Sequence, residues 1–99
     1  MKIPPLITIA GHQIKIVTKE KLEADEVPCV GLAYTGQDLI HLARTCHGVK
    51  LNSAQRATAF LHESLHIISV LYGLNLTEKQ VSQWEVILYQ FLHDNKLRF

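Results

Sequence analysis

The sequence predicts an α+β fold: a small antiparallel sheet of three or four strands, followed by two packed helices, the first carrying an HExxH motif. Two observations predict it. Apolar and polar residues alternate through the first half, as strands with one buried face require. The second half changes to helical periodicity, bracketed by residues that start and stop helices. At 99 residues with 47% hydrophobic and 19% charged side chains, the chain reads as one domain over 1–99 with a single modest core.

The stretch "LITIAGHQIKIVT" alternates around Gly11 and His12 and predicts a hairpin or a bent strand. "KEKLEADEVPC" brings charge and Pro28 and reads as an exposed connection. "VGLAYTGQDLIHLA" holds two short β-like runs joined at "TGQD", a second hairpin, so the strands occupy about residues 6–43. Asn52 or Ser53 can cap a helix over about 53–72, which Gly73 stops by tolerating the left-handed conformation. Thr77 with Gln80 forms a capping box for a second helix over about 77–95.

Composition excludes more than it assigns. The net charge is +1 and the ten basic residues are scattered among nine acids, so no basic stripe marks a nucleic-acid or membrane-surface partner. His12, Gln13 and Lys15 break the opening apolar stretch before it could serve as a signal peptide or span a bilayer, which predicts a soluble, cytoplasmic protein. Cys29 and Cys46 lack CxxC spacing and read as reduced, part-buried thiols.

The first helix carries His62, Glu63, Ser64, Leu65 and His66. Histidines four apart lie about 40° from each other and one turn apart, so both imidazoles can reach one metal ion. Glu63 flanks the pair and is placed to act on a water held by the metal rather than to ligate it. A solvated helix face would also gather polar residues. From Ala54 to Tyr72, however, there is no lysine and a single acid, and Ala59 and Val70 fall inside the polar arc, as in the floor of a cleft.

A catalytic zinc site usually has three protein ligands. On the second helix Val81, Trp84, Leu88 and Leu92 form an apolar stripe, and Glu85 lies within it. A carboxylate facing a core needs a partner, either a metal or a cation such as Arg56. A helical hairpin through "GLNL" can bring Glu85 across to His62 and His66. Glu78 shares that side, but an acid in a first helical turn is favoured by the helix dipole alone. His12, His41, His47, His93 and Asp94 have no ligand spacing. Asp38 is a candidate support for a ligating imidazole, Tyr34 and Tyr89 are candidates for stabilising a transition state, and the strand near "DLIHLA" is the expected peptide-binding sheet edge.

"FLHESLHII" followed by "VSQWEVILYQFLHDN" resembles the small HExxH metallopeptidase-like proteins of the ImmA/IrrE type, particularly the minimal versions encoded by phages and prophages. The resemblance implies a gluzincin arrangement: His62 and His66 as zinc ligands, Glu85 as the third, Glu63 as general base, and a protein or peptide as substrate in a bacterial host's cytoplasm. Larger members carry a helix-turn-helix or sensor part and cleave a repressor; neither part occurs in these residues. The alternative is a non-enzymatic protein-binding module in which zinc only clamps the two helices.

Overall fold

The computed structural model describes residues 2–97. Eight strands precede two helices: β1 (Leu6–Ile9), β2 (His12–Lys19), β3 (Leu22–Ala24), β4 (Val27–Cys29), β5 (Gly31–Tyr34), β6 (Leu39–Ala43), β7 (Thr45–Cys46), β8 (Val49–Lys50), α1 (Ser53–Tyr72) and α2 (Glu78–Asp94). The fold is α+β, with strands first and two packed helices last.

The main sheet has the order β1-β2-β6-β5, flanked by two ribbons, β3-β4 and β7-β8. β1 and β2 form one antiparallel hairpin, and β5 and β6 another. Between them β2 and β6 run parallel, from Lys15 opposite Leu39 to Lys19 opposite Ala43. The direction follows from the chain path. After β2 the β3-β4 ribbon returns the chain for β5, and the β5-β6 hairpin folds β6 into the gap, pointing the same way as β2. The "DLIHLA" strand is therefore interior, and the edges are β1 and β5, a correction to the sequence-based expectation.

Two-residue turns make the β1-β2 hairpin and the two ribbons, whereas four residues, 35–38, join β5 to β6. Ala10 and Gly11 have φ of 49° and 81°, and His47 and Gly48 have 52° and 74°. Such left-handed pairs match the twist of the flanking strands. Asp25 and Glu26 do the same without glycine, at 51° and 66°, so the stretch read as a connection is the β3-β4 ribbon.

Alternation in β2 sends Ile14 and Ile16 into the core, where Ile40 and Leu42 of β6 join them beneath Ala59, Phe60 and Ile67 of α1. A smaller cluster of Leu22, Ala43 and Leu51 sits under the ribbons, with Cys29 and Cys46 part-buried, unpaired thiols at its margin. Burial, then the Glu63 and Cys46 charges, pushes the Cys29 thiol up from its ordinary value.

Both helices start as the sequence predicts. The Gln55 amide donates to Asn52 Oδ1 and the Asn52 amide to Gln55 Oε1, each at 2.8 Å. Thr77 and Gln80 repeat the box on α2, and Gly73 ends α1 at φ 64°. Between the helices the Leu76 amide donates to Ser69 Oγ at 2.9 Å, which ties the connector to α1 and sets where α2 begins. Val81 is the buried residue of α2. Glu85, Leu88 and Leu92 are half-buried beside it, whereas Trp84 is 47% exposed and lies off the stripe assigned to it. No helix among the described residues is long and apolar enough to cross a membrane.

Candidate metal centre

The i, i+4 spacing on α1 sets the rings of His62 and His66 4.9 Å apart, centroid to centroid, with their Nε2 atoms 3.2 Å from each other. Glu78, the first residue of α2, closes the cluster: Oε1 lies 2.7 Å from His62 Nε2 and Oε2 2.9 Å from His66 Nε2. One ligand atom from each of these residues falls within 4.8 Å of the others, so the three can hold a metal ion. Two imidazole nitrogens and a carboxylate are the donor set that suits a borderline divalent cation.

Glu85 lies on the other side of His62 from this cluster. It does reach His62, but on the far nitrogen, with Oε1 2.8 Å from Nδ1. A carboxylate there accepts the Nδ1 proton and leaves the Nε2 lone pair pointing at the cluster, the arrangement that orients a ligating imidazole. Glu85 thus faces Nδ1 of His62, and the carboxylate facing both Nε2 atoms is Glu78. Glu78 remains 67% exposed on its side chain, so the cluster opens to solvent on that side.

Protons are short in this arrangement. His62 has a carboxylate against each ring nitrogen, while a neutral imidazole has one N–H to give. His66 Nε2 faces both Glu78 and His62 Nε2. A cation at the convergence point satisfies every lone pair without adding protons.

Glu63 is 8% exposed, pressed against the edge strand β5. Gly31 makes that approach possible: a Cβ there would lie 2.9 Å from Glu63 Cγ and 3.2 Å from Oε2. Burial pushes the Glu63 carboxyl up to about 7. His62 opposes the rise, Glu78 and Glu85 add to it, and a backbone hydrogen bond with Ala33 opposes it. Depressions open on both sides of Glu63 along β5. One of about 570 Å³ includes Ala33, His66 and Leu76; the other, of about 440 Å³, includes Gly31, His62 and Glu85.

The remaining candidates lie elsewhere. Arg56 donates from Nη2 to Thr18 Oγ1 at 3.3 Å and does not partner Glu85. Asp38 pairs with His12 Nδ1 at 3.1 Å, so it supports no ligand. Tyr34 meets His41 edge-on at 4.9 Å, and Tyr89 stacks on His93 at 5.8 Å. Sequence reasoning ranked Glu78 below Glu85 and missed Gly31. The local signals were present, an acid at the start of α2 on the Glu85 side and a glycine inside a strand, but each has an ordinary local explanation. The chain matches no protein-family model, no curated protein and no solved structure.

Proposed function

We propose that this chain is a zinc-dependent peptide hydrolase whose metal is held by His62, His66 and Glu78. The observation that carries the reading is the convergence of two imidazole nitrogens and the Glu78 carboxylate beside a buried glutamate, Glu63. Zinc held there would supply Lewis acidity to polarise a peptide carbonyl and acidify water. Glu63 takes a proton from the attacking water and returns it to the leaving amine, from a buried position beside His62. Glu85 fixes the tautomer and ring angle of His62 through Nδ1. The unpaired edge of β5 receives an extended peptide as an added strand, with Gly31 and Ala33 beside Glu63 and the two depressions taking the side chains on either side of the scissile bond. The resemblance of "FLHESLHII" to ImmA/IrrE-type proteins supports the same chemistry and carries a cytoplasmic setting with it.

A second reading has its own observation. With Val81 as its buried residue, α2 has a thin apolar attachment, and a metal shared by His62, His66 and Glu78 would clamp it to α1. Glu63 separates the two. In Glu63→Gln a hydrolase keeps its zinc and its fold while peptide cleavage falls by at least about 100-fold. Zinc uptake without cleavage of any peptide by the wild type leaves the clamp.

A further inference from the structure

A hollow of about 940 Å³ lies away from the metal cluster, where the segment before β1 crosses the end of β2 and the start of α1. Ile3, Pro5, Ile16 and Leu51 give it an apolar floor, and its charged lining is Lys2, Lys50 and Arg56, with no carboxylate. Among the described residues none of these three cations has an ion pair. Three like charges gathered in one concavity repel one another unless an anion joins them.

Arg56 is the most telling of the three. Thr18 Oγ1 braces its Nη2, while its Nε is buried and has no hydrogen-bond partner. The guanidinium is therefore held in place without an acceptor that balances its charge. α1 also begins here, with no acid in its first turn. The Asn52 side chain is spent on the Gln55 amide, so the amides of Ser53 and Ala54 have no partner within the helix.

We propose that this hollow binds a phosphate monoester of a small organic molecule: Arg56, Lys2 and Lys50 take the phosphate at the start of α1, and the Ile3–Pro5–Ile16–Leu51 floor takes the apolar part. A guanidinium matches phosphate oxygens in pairs, and first-turn amides accept the same dianion. The cations meet in one hollow instead of running along a face, which suits a compact ligand and not a polynucleotide. The site is independent of the metal centre: Arg56 and Glu63 are seven residues apart on α1, about 10 Å along its axis, and the hollow shares no lining residue with the metal cluster.

The test is an amide-resolved NMR titration of the full chain with phenyl phosphate, with a chelator present to keep metal out of the His62 cluster. Benzyl alcohol, inorganic phosphate and chloride at matched ionic strength are the controls. Saturable shifts are expected at Thr18, Ser53, Ala54 and Arg56 with a dissociation constant near or below about 1 mM. Inorganic phosphate reaches the same amides more weakly, and benzyl alcohol leaves them unmoved. Arg56→Gln weakens phenyl phosphate about tenfold or more; should that variant not fold, Lys50→Gln, at an exposed position, carries the comparison. The proposal is overturned if phenyl phosphate moves these amides no more than chloride does, if neither variant weakens it, or if a single-stranded oligonucleotide without a terminal monoester binds there as tightly.

Discussion

Gly31 and Glu63 are fitted to each other: the edge strand comes so close to α1 that a methyl group at residue 31 would stand 2.9 Å from Glu63 Cγ. The contact aims the buried carboxyl and keeps it beside the histidines. Gly31→Ala must push either the strand or the glutamate aside. Overpacking of this kind costs about 1–3 kcal/mol, so thermal unfolding should come several degrees earlier, and peptide hydrolysis should fall more than zinc affinity. Wild-type stability and turnover in Gly31→Ala would show that the fit has slack.

In the proposed centre Glu85 would act on the metal through His62. Removing a carboxylate behind a ligating histidine typically lowers metal affinity about 10- to 100-fold without changing the coordination sphere. Cobalt(II) bound to Glu85→Ala should therefore keep the wild-type visible spectrum while binding more weakly. A changed ligand-field spectrum in Glu85→Ala, beside an unchanged one in Glu78→Ala, would return Glu85 to the metal.

Ser69 governs Glu78 from a distance. Its buried hydroxyl accepts the Leu76 amide and so fixes the start of α2. Ser69→Ala leaves that amide without its acceptor, at a cost of about 1–3 kcal/mol, and frees the first turn that carries Glu78. Both urea stability and zinc affinity should drop although every ligand is intact. An unaltered zinc affinity would mean that the α2 start is held by other contacts.

His41 supplies a pH dependence. Burial and then the Lys19 charge hold its imidazole below the ordinary value of 6.5. Protonation is thus harder in the folded chain than in the unfolded one. The stability this confers is present above about pH 6.5 and is lost as pH falls through the lower, folded value. Urea unfolding of metal-free protein at neutral and mildly acid pH should show the wild type losing more stability on acidification than His41→Gln. Parallel losses in the two proteins would contradict it.

Much of this was legible in the chain because the signals are local. Asn52, Gly73, Thr77 and Gln80 each act within one helical turn, and both helix starts fall where these residues put them. The Ala10–Gly11 turn shows itself through glycine, whereas Asp25–Glu26 adopts the same left-handed pair with residues that look like a charged linker. The parallel β2-β6 pairing joins runs separated by two ribbon strands and β5, and no local pattern encodes it. His62, Glu63 and His66 announce themselves by spacing. Choosing between Glu78 and Glu85 depends on how α2 sits on α1, which Ser69, Leu76 and Val81 decide through tertiary contact. Trp84 looks like core by type, yet it is half-exposed on α2.

Competitive zinc titration of the metal-free protein probes the proposed metal centre of His62, His66 and Glu78. The wild type should take up one equivalent of zinc, and Glu78→Ala should bind it at least about 100-fold more weakly, the loss expected when one of three protein ligands goes. A wild type that takes up no zinc, or a Glu78→Ala variant with undiminished affinity, would contradict the account.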